Sequence, residues 1–78
     1  MNVKEELLDI VSEFTGIPVG EISTSEGFKL SCGLNSFMLF SMVSTIEEHF
    51  GISIPNSALM KFQTLDDIIA YVENALKG

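Results

Sequence analysis

The chain has 78 residues and a formal net charge of −7, and its only cationic residues apart from His49 are four lysines. This length predicts one compact domain over residues 1–78. The shortage of cations argues against binding to nucleic acid or to an anionic membrane surface. The longest unbroken apolar run, residues 37–40, is too short to cross a bilayer.

The chain has a single cysteine, Cys32, so it cannot form an internal disulfide. Its N-terminus lacks the basic region and apolar run of a signal peptide. Both features are typical of a protein from a reducing compartment, and we expect a cytoplasmic monomer. An acidic protein of this size is suited to dock on basic patches of partner proteins.

Apolar residues at helical spacing predict a first helix over residues 3–15. Asn2 can cap its first turn, and Gly16 ends it. Residues 16–35 lack this periodicity and are rich in glycine and serine, so we predict a long loop of a kind that is often functional. Apolar residues spaced along the loop should anchor it on the core, and Phe28 is the strongest candidate.

A second and more apolar helix is predicted over residues 37–50, with Ser36 as its cap and Gly51 as its terminator. The stripe that should face the core comprises Leu39, Met42, Val43, Ile46 and Phe50. The positions that should face away from the core are Phe37, Phe40, Ser41, Ser44, Glu47 and Glu48. Two phenylalanines would then lie near solvent, and an exposed apolar patch often marks a binding surface.

The last third of the chain predicts a short helix and a final long one. Residues 52–55 are predicted to form an extended connector, and residues 56–61 a brief helix. Thr64 should cap the last helix, whose apolar stripe is Leu65, Ile68, Ile69, Val72 and Leu76.

Three methionines are expected to be packing residues: Met38, Met42 and Met60. No stretch has the pattern of paired strands, so the sequence predicts a small all-α bundle of three main helices and one short helix.

Ser36 lies where the predicted loop meets the second helix, and the residues by themselves leave three uses open. Its hydroxyl can cap the first turn, carry a phosphate favoured by the helix dipole, or act as a nucleophile. The nucleophile is disfavoured, because the only histidine, His49, lies more than three turns along the same helix. No cluster of residues has metal-ligand spacing.

The order of these elements resembles the acyl carrier protein family. The family's motif is a glycine, a variable residue and then Asp-Ser-Leu at the start of the second helix. This chain has Gly33-Leu34-Asn35-Ser36-Phe37 at that place. Further matching pieces follow at the expected distances: Thr15-Gly16-Ile17, Phe28, Glu47-Glu48 before Phe50, Ile54-Pro55 and Thr64-Leu65-Asp66-Asp67-Ile68. Each piece is weak alone, but their joint spacing over the whole chain is fairly specific.

The resemblance implies a non-catalytic carrier in which Ser36 receives a 4′-phosphopantetheine arm from coenzyme A through a phosphopantetheinyl transferase. The thiol of the arm would hold acyl groups as thioesters for fatty acid, polyketide or related specialised biosynthesis. Acyl-loading and acyl-processing enzymes would dock through basic or apolar surfaces. The residues expected to contact partners are Asn35, Phe37, Phe40, Ser41, Glu47 and Glu48.

Several positions depart from the family's pattern. Asn35 replaces the aspartate that is thought to help the transferase and its metal ion, and Phe37 replaces a leucine. Met38 and Ser41 replace residues that are often acidic. These changes favour a specialised carrier with a narrow set of partners over a housekeeping fatty-acid carrier.

Other functions of the same fold stay open at this point. One is a protein-interaction module that has lost the modification, which the change at Asn35 makes conceivable. Another is an aminoacyl carrier, although the usual motif of that class, often with histidine before the serine, does not match Leu34-Asn35. A small enzyme is a distant third.

Overall fold

The computed structural model describes residues 2–27 and 36–77, except for the side chain of Ser36. The helices in these ranges are α1 (Val3–Thr15), a 3-10 helix (Val19–Glu21), α2 (Ser36–Phe50), α3 (Asn56–Leu59) and α4 (Leu65–Lys77). Within the described ranges, the only β contact is an isolated antiparallel bridge between Gly27 and Thr64. The prediction of an all-α bundle with three main helices and one short helix is confirmed. None of the described helices has the length and apolar content of a membrane span.

α1 begins and ends at the residues that the sequence predicts. The side-chain Oδ1 of Asn2 accepts a hydrogen bond from the amide of Glu5 at 3.1 Å. At the other end, Gly16 has a φ of 74°, in the left-handed region that favours glycine. Its amide donates to the carbonyl of Ser12 at 2.8 Å. Both ends thus satisfy backbone groups that an uncapped helix leaves without a partner.

One apolar core lies where α1, α2 and α4 meet. Its largest fully buried side chains are Leu7 and Val11 from α1, Met42 and Ile46 from α2, and Leu65, Ile68 and Val72 from α4. Those from α2 and α4 lie on the stripes predicted for these two helices from helical spacing. On α2 the stripe is completed by buried Val43 and by partly buried Leu39 and Phe50. Among the described residues no polar or charged side chain is buried, so apolar burial is the main source of stability.

Two predicted core residues lie at the surface instead. Leu76 is 41% exposed because it belongs to the last turn of α4, beside a cavity lined by residues of α1 and α4 alone. Met60, the residue that follows the end of α3, is 84% exposed. The prediction of Met60 as a packing residue is therefore wrong.

The predicted loop anchors are only partly within the described residues. Ile22 is buried and Ile17 is partly buried, which confirms that the first part of the loop packs on the core. Val19, in the 3-10 helix, is exposed. Phe28 and Leu30 lie outside the described residues, so the role expected for Phe28 stays a prediction.

α4 begins with a reciprocal capping box formed by Thr64 and Asp67. The Asp67 amide donates to Thr64 Oγ1 at 3.3 Å, while Asp67 Oδ2 accepts from the amides of Gln63 at 2.8 Å and Thr64 at 3.1 Å. These backbone hydrogen bonds, with that from Gln63 the strongest, lower the pKa of the Asp67 carboxyl because they favour its charged form. The Asp66 amide also donates to the carbonyl of Thr24 at 3.0 Å, which joins α4 to the loop after α1.

We expect Asp67→Asn to make the stability of the fold less sensitive to acid. Because folding lowers the pKa of Asp67, its contribution is present above the ordinary carboxyl pKa and is lost as the pH falls through the lowered value. The free energy of unfolding from urea titrations at pH about 7 and about 3 should therefore differ less in the variant than in wild type.

Asp66→Asn is the matched control for this prediction. It removes the same charge from the same first turn, but the hydrogen bonds described at this helix start use only the Asp67 carboxylate. Equal pH dependence in the two variants would contradict the role given to Asp67.

Candidate functional site

The candidate site is the beginning of α2. This helix starts at Ser36, one residue earlier than predicted, so Ser36 is its first helical residue rather than the residue before it. Residues 33–35 of the motif lie outside the described residues. The first turn of α2 contains no acidic residue, whereas α1 and α4 each have two there. An anionic group at this helix start would therefore meet the positive end of the dipole without a carboxylate in the same turn.

The outer face of α2 changes from apolar to acidic along the helix. Phe37 is 77% exposed and Phe40 is 55% exposed, which confirms the orientation predicted for both phenylalanines. Ser44 and Glu48 follow as exposed residues one turn apart, and Ser41 is half-buried. Residues 36–46 include no charged side chain. A partner that approaches the start of α2 therefore meets apolar surface first.

A cavity of about 500 Å³ lies between α2 and α3. Its apolar lining comes from Phe40, Val43, Ile54, Leu59 and Met60. Its polar lining is made by Ser44, Glu47 and Asn56. Its volume falls within the range of about 300–1,000 Å³ that is common for small-molecule pockets. On α2 the lining residues run from Phe40 to Glu47, so the cavity lies along the middle of this helix, beyond its first turn.

Glu47 differs from the outward-facing acid that the sequence predicts. It is half-buried in the wall of the cavity, and its Oε2 accepts a hydrogen bond from the amide of Ile54 at 2.9 Å. Glu48, its neighbour, is exposed. The two neighbouring acids therefore differ in their surroundings: Glu47 is half-buried and holds a backbone amide, whereas Glu48 is exposed to solvent.

His49 is exposed at the far end of α2. Its Nε2 lies 3.0 Å from Oε1 of Glu6 in α1, and its ring meets Phe50 edge-on with the ring centroids 4.8 Å apart. Thirteen residues of helix separate it from Ser36, which corresponds to about 20 Å. His49 therefore cannot serve Ser36 as a general base. Within residues 2–27 and 36–77, no group of three or more His, Cys, Asp or Glu residues could hold a metal ion.

Comparison with known proteins decides the family. A family model described as a phosphopantetheine attachment site matches residues 5–72. The chain is 34% identical to the acyl carrier protein of an Exiguobacterium species over 77 residues, which cover 94% of this chain and 98% of the relative. It is 31% identical to the acyl carrier protein of Campylobacter hominis, with coverage of 100% and 99%. It is 30% identical to the acyl carrier protein of Acidothermus cellulolyticus, over 92% of this chain and 90% of the relative.

This chain belongs to the acyl carrier protein family. Acyl carrier proteins are not enzymes; they hold their cargo on a covalently attached 4′-phosphopantetheine. The described residues fit this group, because the start of α2 offers backbone amides and a positive dipole end to a phosphodiester. The family therefore favours a modified carrier over an interaction module that has lost its prosthetic group.

Substitutions on the two faces of α2 should differ in their effect on stability. Met42→Ala should lower the free energy of unfolding by about 2–5 kcal/mol, because it leaves a cavity at a fully buried site. Phe40→Ala should cost less than about 1.5 kcal/mol, because more than half of its side chain is already in water. Urea unfolding followed by circular dichroism measures both values, and equal costs would show that Phe40 belongs to the core.

Proposed function

We propose that this acyl carrier protein holds acyl intermediates as thioesters on a phosphopantetheine arm attached to Ser36, for a specialised branch of fatty acid or polyketide biosynthesis. The observation that carries the proposal is the beginning of α2, where Ser36 opens a helix whose first three turns are uncharged. The lone cysteine supports a reducing, cytoplasmic setting.

Attachment at Ser36 is supported by its place in the fold. It is the first residue of a 15-residue helix, so a phosphodiester there would lie at the positive end of a long dipole. Phe37, next to it, is largely exposed, which leaves room for a modifying enzyme to approach. Asn35 precedes it, and its neutral amide can still coordinate a cation through oxygen, but without the charge of the usual aspartate.

An acyl cargo is supported by the cavity between α2 and α3. Its lining includes five apolar side chains, and transfer of an acyl chain from water into such surroundings is favourable. The apolar part of the lining therefore supports an acyl chain as the cargo.

A narrow set of partners is supported by the exposed apolar residues near the arm. Phe37, Phe40 and Met60 are all more than half exposed, and the last two line the same cavity. We infer that the phosphopantetheinyl transferase and the acyl-processing enzymes meet this end through apolar contacts. Glu48 supplies the acidic contact further along α2.

The first prediction of this proposal is that Ser36 is the sole attachment site. Incubation of the unmodified protein with coenzyme A and a broad-specificity transferase should add one phosphopantetheine to wild type and none to Ser36→Ala. Intact-protein mass spectrometry measures the addition.

Ser44→Ala is the matched control, because Ser44 is an exposed serine on the same helix and its loss should not affect loading. A wild type that stays unmodified, under conditions that load a standard acyl carrier protein, would favour the interaction module. Loading of Ser36→Ala would place the arm elsewhere.

The second prediction concerns partner docking. Burying an exposed phenylalanine in a partner's groove can contribute about 1.5–3 kcal/mol, whereas an exposed ion pair contributes about 0–1 kcal/mol. Phe40→Ala and Phe40→Glu should therefore each reduce acyl transfer from the loaded carrier to its partner enzyme more than Glu48→Ala does. Raising the salt concentration should weaken the effect of Glu48→Ala and leave the effect of Phe40→Ala in place.

The measurement is the KM for the loaded carrier at low and high salt, with the thermal stability of each variant recorded alongside. If Phe40→Glu changed neither the thermal stability nor the KM, the exposed phenylalanines would not be part of the docking surface.

A further inference from the structure

The connector between α2 and α3, residues 51–55, depends on one side chain of α2. The main-chain carbonyl of Glu47 accepts hydrogen bonds from the amides of Gly51 at 2.9 Å and Ile52 at 3.1 Å. Its carboxylate then accepts from the amide of Ile54 at 2.9 Å. The first two bonds belong to the ordinary end of a helix at a left-handed glycine. The third does not, because it requires an acidic or amide side chain at this position.

A second contact holds the same connector from the opposite side. The hydroxyl of Tyr71 in α4 donates to the carbonyl of Ser53 at 3.3 Å, and the Tyr71 ring meets Phe62 edge-on with the ring centroids 5.7 Å apart. The connector is thus fixed between α2 and α4. Ile54, whose amide Glu47 binds, is itself a buried core residue.

The position of α3 follows from the position of this connector. α3 has only four residues, fewer than an isolated helix needs to be stable. No side chain caps its start at Pro55, and Leu59 is its one buried residue. Its placement over α2 therefore depends on Leu59 at one end and on the connector at the other.

We propose that Glu47 is a positioning residue whose carboxylate sets the spacing between α2 and α3, and through it the size of the cavity that receives the acyl chain. Glu47 lines that cavity together with Ile54 and Leu59, so a shift of the connector changes the cavity directly. The acyl cargo in this statement rests on the proposed function. The role differs from that of a docking charge, which the sequence assigns equally to Glu47 and Glu48.

Two substitutions at Glu47 separate these roles. Glu47→Gln removes the charge but keeps a side-chain oxygen that can accept the Ile54 amide, whereas Glu47→Ala removes both. A docking charge would be lost equally in the two variants. A positioning role is retained in Glu47→Gln and lost in Glu47→Ala. Glu48→Ala is the control for loss of a neighbouring acid.

The test is carried out by NMR on the unmodified protein. Hydrogen exchange of the Ile54 amide should be faster by about tenfold in Glu47→Ala and close to wild type in Glu47→Gln and Glu48→Ala. Nuclear Overhauser effects between the methyl groups of Val43 and Leu59, which line the cavity on its two sides, should change in Glu47→Ala alone. Unchanged Ile54 exchange or unchanged methyl contacts in Glu47→Ala would overturn the proposal.

A second measurement extends the test to the cargo. Carriers loaded with saturated acyl chains of graded length should resist mild alkaline hydrolysis of the thioester best at one chain length. Glu47→Ala should shift that length, and Glu47→Gln and Glu48→Ala should keep it. An unshifted length in Glu47→Ala would overturn the role in cargo selection. A wild type that accepts no phosphopantetheine would instead overturn the proposed function, while the NMR result would still decide the position of α3.

Discussion

The packing of α2 against the core is the constraint on which the other features depend. Met42 and Ile46 are fully buried, and a helix that buries them must direct Phe37, Phe40 and Glu48 away from the core. The surface near Ser36 is therefore fixed by core residues that never touch a partner. It follows that the outer face of α2 can change from acidic to apolar without any change in the fold.

The helices and the core of this protein could be predicted from the sequence because their causes are local. Asn2, Gly16 and Thr64 act on backbone groups within four residues of themselves, and the core stripes follow from helical spacing. The orientation of Phe40 was predictable for the same reason. The start of α2 was predicted within one residue, which is the usual precision of a helix boundary.

The lining of the cavity between α2 and α3 could not be predicted, because its contacts depend on the path of the chain after α2. Nothing in the sequence around Glu47 shows that the amide of Ile54 returns to it after Gly51. Met60 has an apolar side chain like those of the core, yet it follows the last residue of α3 and lies in solvent. Two acids that look equivalent in the sequence, Glu47 and Glu48, thus have different surroundings in the structure.

The bridge between Gly27 and Thr64 has a consequence for the described part of the loop, residues 16–27. Together with the bond from the Asp66 amide to Thr24, it attaches the end of this segment to the start of α4. The segment is thereby held by backbone contacts at a point where few of its side chains are buried. A change that loosens the start of α4 would release Thr24 and Gly27 together, so the order of this segment depends on a helix start that lies far from it in the sequence.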